Sequence, residues 1–149
     1  MDLNSKTTIL IGASSDIAQP VITALNNQEE KNEVTIISRT KLMNIPFNNK
    51  QFIIKNYKED LLKVFDELNL VGSNLSVINF TGSLILKPLH LVREEEFLQT
   101  LEINLMTNFR ALTKILKLNL KSLSYLAFSS VAASYGLANH EVISSAKAG

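Results

Sequence analysis

Thr7-Thr8-Ile9-Leu10-Ile11-Gly12-Ala13-Ser14-Ser15-Asp16-Ile17-Ala18 is the stretch that decides how the rest of the sequence is read. Thr7 to Ile11 is a short, apolar, β-branched run, the composition of a strand buried on both faces. Gly12 ends it and permits a tight turn. From about Ser15 to Asn26 the apolar residues Ile17, Val21, Ala24 and Leu25 fall at helical spacing with one buried stripe. A strand, a glycine and a helix in immediate succession present the helix's free N–H groups to a phosphate. The same succession also makes an ordinary strand-to-helix turn with a serine N-cap. The stretch alone leaves both readings open.

The rhythm continues outward. Val34 to Ile37 reads as a second strand and Phe52 to Ile54 as a third; Leu61, Leu62, Phe65 and Leu68 mark a helix. Leu75 to Asn79 is a fourth strand. A long helical pattern follows from about Glu94 to Leu118, through Phe97, Leu101, Leu105, Phe109, Leu112 and Leu116. Leu123 to Phe128 is a fifth strand, and a last helix begins near His140. Strands alternating with helices predict an α/β fold, a doubly wound parallel sheet with helices on both faces. Between the second and third strands, Pro46 and several asparagines leave any crossover helix short or absent. The acidic run Glu94-Glu95-Glu96 complements the dipole in a helix's first turn.

The 149 residues fit one domain, 1–149. Hydrophobic residues make up 46% and mean hydropathy is +0.11, enough to bury a core. Fifteen basic against fourteen acidic residues leave +1 with no basic block. That balance argues against a nucleic-acid footprint and against docking on an anionic membrane. The absence of cysteine excludes disulfides, thiolate metal centres and cysteine nucleophiles, and the two histidines lie far apart. Met1 to Lys6 lacks the pattern of a signal peptide. No apolar run approaches the ~20 residues of a membrane span. A cytoplasmic protein is therefore expected.

In an open parallel sheet, ligands bind beyond the carboxyl ends of the strands, and there the residues carry a family resemblance. Gly12-Ala13-Ser14-Ser15-Asp16-Ile17-Ala18 resembles the TGxxxGxG turn of the short-chain dehydrogenase/reductase family. Asn79-Phe80-Thr81-Gly82 is similar to that family's Asn-Asn-Ala-Gly element. Lys87-Pro88-Leu89, Glu95-Glu96-Phe97 and Ile103-Asn104-Leu105 resemble the stretch leading to its helical asparagine. Phe128-Ser129-Ser130-Val131-Ala132 is similar to its fifth strand and catalytic serine, and Ser144-Ser145-Ala146-Lys147-Ala148-Gly149 to the segment carrying its catalytic lysine. The matches come in family order and cover essentially the whole chain.

The resemblance implies a Rossmann-like sheet in the order 3-2-1-4-5. It also implies hydride transfer between a nicotinamide cofactor and a carbonyl or alcohol substrate. Catalytic positions would be Asn104, Ser130 and Lys147: the serine holding the substrate oxygen, the lysine the cofactor ribose, the asparagine a water in the proton relay. Cofactor-binding positions would be Gly12, Ser14, Ser15, Asp16, Ile17, Arg39, Asn79, Gly82 and Lys147. The second strand ends Ile37-Ser38-Arg39, with no acidic residue to accept from the 2′-hydroxyl of NAD. Arg39 instead suits a 2′-phosphate, so NADP is expected ahead of NAD.

Three departures accompany the matches. The family's tyrosine, its general acid/base, stands four residues before the lysine, where this sequence has Ile143; losing such a group costs ~10²–10⁴ in rate. Tyr135 and His140 are the nearest alternatives in sequence. Asp16 and Ala18 replace the second and third glycines of the phosphate turn. A carboxylate ~5 Å from a pyrophosphate costs up to ~3 kcal/mol at an effective dielectric near 20, whereas one pointed outward is harmless. Finally, family chains run on through roughly two further strands and helices, so the matched region is an incomplete domain of that type. A chain impaired in catalysis is expected, with a non-catalytic nucleotide-binding or interaction module, or a fragment, as the alternative. The apolar surplus of the Glu94–Leu118 helix, including Met106 and Ala111, predicts a homo-oligomer.

Overall fold

The structure, a computed structural model, describes residues 6–27 and 33–149. The reading of Met1 to Lys6 as lacking a signal segment falls mostly on residues 1–5, outside the described residues. Five parallel strands, β1 (Lys6–Ile11), β2 (Glu33–Ser38), β3 (Asn49–Ile53), β4 (Asn74–Asn79) and β5 (Ser122–Ala127), form one sheet in the order β3-β2-β1-β4-β5. The expected order is therefore met. Thr8 stands opposite Val34 on one side and Ser76 on the other, in parallel register.

Alternation along β1 divides the core. Ile9 and Ile11 point to a layer built with Ile37, Leu75 and Val77 against the helices α2 (Tyr57–Glu67) and α4 (Thr107–Leu116). Leu10 points to the opposite layer, where α1 (Gln19–Asn26) packs Ile22 beside Ile36 and Phe80. On α2, Leu61, Val64 and Phe65 sit at spacings of three and four, one face of the helix, and all are buried. Burying each such side chain supplies roughly 1.5–3 kcal/mol. Asn56 starts the helix: its side-chain oxygen accepts from the Glu59 N–H at 2.8 Å.

Strand boundaries lie within a few residues of those expected. The largest shift is β3, which spans Asn49–Ile53 instead of starting at Phe52; its early residues are polar and half exposed, so its apolar signal is short. Ahead of α1, Asp16–Ala18 is a single 3₁₀ turn.

The long helical pattern divides into α3 (Glu94–Leu101), a wide π turn over Glu102–Met106 and then α4. Its buried stripe also differs from the apolar one. Thr100, Asn104, Thr107, Ala111 and Ile115 face inward, while Leu98, Phe109 and Leu116 are more than half exposed. The hydroxyls of the inner stripe are satisfied within the helix, and the Asn104 amide makes one of its bonds there. Thr100 donates to the Glu96 carbonyl (2.8 Å), Asn104 to the Thr100 carbonyl (3.0 Å), and Thr107 to the Glu102 carbonyl (3.0 Å). Arg110 grips the Glu102 carboxylate through both terminal guanidinium nitrogens. In a regular helix residues seven apart share a face; the extra residue of the π turn brings residues eight apart together. The last helix, α5 (Glu141–Ala148), packs Val142, Ile143 and Ala146 inward.

The acidic start of α3 does more than complement a dipole. Glu96 accepts from the Arg93 N–H (2.9 Å) and from Lys87 Nζ (2.5 Å). The Lys87 hydrogen bond, then that backbone N–H, holds its carboxyl down to about 2. A depressed carboxylate contributes stability above its unfolded pKa, and that contribution is lost as pH falls through the folded value. In an NMR pH titration Glu96 is expected to titrate near 2, and to move upward in Lys87→Met. The variant should lose less stability than the parent between pH 4.5 and 2.

Candidate nucleotide-binding site

The cleft lies where β1, β2 and β4 end. Gly12 adopts φ +74°, a left-handed conformation that side chains other than glycine rarely take. Its N–H donates to the Ile37 carbonyl at the end of β2 (2.7 Å), while the Ile11 carbonyl accepts from Phe80 N–H at the end of β4 (2.8 Å). A Cβ on Gly12 would lie 3.0 Å from the Thr81 nitrogen and 3.1 Å from its methyl group. The glycine thus serves both a turn and a close approach.

Beyond these ends opens a cavity of about 280 Å³, lined by Gly12, Ser14, Ser15, Asp16, Arg39 and Gly82, with Tyr57, Phe80, Thr81 and Ile103 completing its wall. Of the expected cofactor positions, six line it. Ile17 does not; its side chain is half exposed elsewhere. Ser15 precedes the 3₁₀ turn in extended conformation without a side-chain cap bond, so the serine cap of the ordinary-turn reading is not made. Asp16 and Arg39 are exposed and stand on the same cleft, one charge of each sign. Tyr57 was not legible as a site residue. Burial pushes its phenol pKa up, and the nearby Arg39 charge opposes that rise.

Asn79 is buried and does not line the cleft. Its side-chain oxygen accepts from Thr81 N–H (2.9 Å) and the Thr81 hydroxyl (2.7 Å). Its amide donates to Asn108 Oδ1 (2.8 Å) and to the Tyr125 hydroxyl (3.2 Å). Tyr125 also donates to Asn108 (3.0 Å), and Asn108 donates to the Asn104 carbonyl in the π turn (3.0 Å). Burial raises the Tyr125 pKa, against the lowering effect of the Asn79 hydrogen bond. This network ties the end of β4 to β5 and to the helix. Asn79 therefore positions the loop Phe80–Gly82, and Gly82 meets the cleft.

Asn104 and Lys147 converge on Gly82. Asn104 Oδ1 accepts from Ser83 N–H (3.3 Å), and its amide donates to the Ser83 carbonyl (3.1 Å). A Cβ on Gly82 would stand 3.3 Å from Asn104 Oδ1 and 3.8 Å from Lys147 Nζ. Lys147 Nζ donates to the Phe128 carbonyl (2.8 Å), and burial lowers its pKa. The Phe128 ring stacks on Phe80 with centroids 5.3 Å apart, joining the ends of β4 and β5. Ser130 is only partly buried, and its hydroxyl oxygen accepts from Ala132 N–H (3.2 Å). The serine bonded to the lysine segment is its neighbour: Ser129 donates to the Lys147 carbonyl (3.1 Å). Ile143 is buried one turn before Lys147. Tyr135 is largely exposed, on a separate groove with Glu141 and Ser144, and His140 bonds back to the Ala138 carbonyl (2.7 Å).

Among the described residues no helix is long and apolar enough to cross a membrane, and no group of acidic or imidazole side chains could hold a metal ion. No protein-family model and no curated protein matches the chain. Solved structures do. A short chain dehydrogenase family protein from Francisella tularensis subsp. tularensis SCHU S4 superposes with TM-score 0.82 at 18% identity, over 97% of this chain and 59% of that one. 4-Hydroxyisoleucine dehydrogenase complexed with NADH and succinate gives 0.79 at 18%, over 95% and 66%. A short chain dehydrogenase from Leptospira borgpetersenii serovar Hardjo-bovis (strain JB197) with bound NAD+ gives 0.80 at 18%, over 97% and 61%. The fold is thus that of short-chain dehydrogenase/reductase proteins, and the chain spans about three fifths to two thirds of the length of these three.

The Asn79 network has a graded energetic signature. Tyr125→Phe removes two hydrogen bonds, one accepted from Asn79 and one donated to Asn108, and should cost about 1–2 kcal/mol, whereas Asn79→Ala removes four and leaves the buried Thr81 N–H without its acceptor, and should cost about 3 kcal/mol. Urea denaturation of the two variants checks the ranking.

Proposed function

We propose that the chain binds a nicotinamide dinucleotide along the cleft between Gly12 and Gly82, as part of an oxidoreductase-type domain whose own hydride-transfer activity is impaired. The observation that carries this reading is the cleft itself: a glycine at φ +74°, serines at a helix start and a second glycine, gathered where three parallel strands end. The residues fit such a group. The absent side chain at Gly12 lets the ends of β1 and β4 meet, and the N–H groups leading into α1 suit a pyrophosphate. Ser14, Ser15 and Gly82 would hold the dinucleotide, with Lys147 facing its ribose. A bound nicotinamide would supply hydride to, or accept it from, a carbonyl or alcohol carbon.

Arg39 supports a preference for NADP over NAD. Its exposed guanidinium stands on the cleft at the end of β2 and can pair with a 2′-phosphate through charge-assisted hydrogen bonds. Asp16 lies on the same cleft, so binding is weaker than a glycine at that position would allow.

Impaired catalysis rests on Ile143. An isoleucine, buried here, exchanges no proton with a substrate oxygen. Ser130 has no base beside it among the hydrogen bonds it makes, and Tyr135 and His140 contact their own loop and groove. A non-catalytic nucleotide-binding role is favoured by that same buried residue. The exposed Leu98, Phe109 and Leu116 on the outer face of α3 and α4 support assembly with a second copy.

By calorimetry NADPH is expected to bind about tenfold or more tightly than NADH, with Arg39→Asp reversing the order. Equal or tighter NADH binding contradicts the assignment of Arg39. A panel of simple carbonyls should show no steady NADPH oxidation. Turnover that disappears in Ser130→Ala contradicts the impaired reading.

A further inference from the structure

The amine of Lys147 is placed unlike that of Lys63, Lys87 or Lys114. Each of those three pairs with a carboxylate, which favours the charged form. Among the described residues no carboxylate lies within ion-pair distance of Lys147. Its Nζ has the Phe128 carbonyl as acceptor, at 2.8 Å. Burial lowers its pKa with no charged group contributing, whether from α3, the π turn or the loop after β5. One turn earlier stands the buried Ile143.

The amine is nevertheless reachable. It lies 3.8 Å from where a Gly82 Cβ would stand, and Gly82 lines the nucleotide cleft. Lys147 also lines a second cavity of about 210 Å³, walled by Leu105, Ala127, Phe128 and Ala146 with the polar groups of Asn104 and Ser129. A short aldehyde fits that volume, given that a water occupies ~30 Å³ of liquid.

We infer that the ε-amine of Lys147 is a carbonyl-reactive nucleophile that captures short aldehydes as an imine. The neutral nitrogen attacks the carbonyl carbon as its lone pair forms the C–N bond. The carbonyl π electrons move to oxygen, and a proton passes from nitrogen to that oxygen, giving a carbinolamine. Loss of water then forms the C=N bond, so aldehyde and amine give imine and water with no oxidant or reductant. Desolvation in an apolar setting is a recognised way to activate a lysine for such chemistry. The inference concerns the same lysine that would face the ribose, but its chemistry needs no dinucleotide, so either reading can fail without the other.

The test uses the full 149-residue chain without nucleotide. Butyraldehyde and cyanoborohydride at pH 7.5 convert each imine to a stable butyl-lysine, and peptide mass spectrometry follows each site over time. Lys147 is expected to label about tenfold faster than the exposed Lys41 and Lys58, because burial leaves more of its amine neutral. A rate within about threefold of theirs, or below it, overturns the inference. Lys147→Arg keeps the donor to Phe128 and removes the nucleophile. With its circular dichroism unchanged, that variant should lose the fast-labelling site, and a fast site that persists in it overturns the assignment.

Discussion

The ends of β1 and β4 approach so closely that no side chain fits between them, and this constraint at Gly12 organises the rest of the molecule. The N–H of Gly12 is tied to β2 and the carbonyl before it to the end of β4, so three strands stop at one level. A Cβ at that point would press on the Thr81 backbone at 3.0 Å. The sheet therefore opens into a cleft at a fixed place, and the loop Phe80–Gly82 forms one of its walls. Asn79 holds that loop from behind through four hydrogen bonds, two to Thr81 and two to Asn108 and Tyr125. Polar groups buried this way are favourable only when fully partnered, and among the described residues no buried side-chain polar atom lacks a partner.

Much of the fold was legible because parallel strands buried on both faces are continuous apolar runs, as Thr7 to Ile11 shows. The edge strand β3 was less so, since half of it meets water and its residues are mixed. The region from Glu94 to Leu116 misled more deeply. Its apolar pattern runs through Phe109 and Leu116 and counts Ala111 in the surplus beyond one sheet-facing stripe, yet Ala111 is fully buried, Phe109 and Leu116 are exposed, and the buried line runs Thr100, Asn104, Thr107, Ala111, Ile115. A hydrophobicity pattern cannot reveal a polar stripe whose hydrogen bonds are made within its own helix and, at Asn104, to the loop at Ser83. Nor can it reveal a π turn, whose trace is an ion pair eight residues apart.

Site residues divide along the same line. Gly12, Ser14, Ser15, Asp16, Arg39 and Gly82 were named from motifs local in sequence and stand on one cleft. Asn108 and Tyr125 were missed because their partner Asn79 is 29 and 46 residues away, a pairing that only the sheet order creates. Asn104 and Lys147 meet at Gly82 for the same reason. Ser130 caps the turn that follows it, and its neighbour Ser129 makes the bond to the lysine segment. With Ile143 buried beside it, Lys147 is left as an amine without an acidic or phenolic partner.

The proposed dinucleotide spans the cleft from Gly12 to Gly82. Backbone amide chemical-shift mapping during titration with NADPH tests this most directly. The largest changes are expected on Gly12 to Ala18, Arg39 and Thr81 to Ser83, with little change along the outer face of α4. Saturating NADPH that leaves those amides unmoved, or shifts only the separate groove around Tyr135 and Glu141, would contradict it.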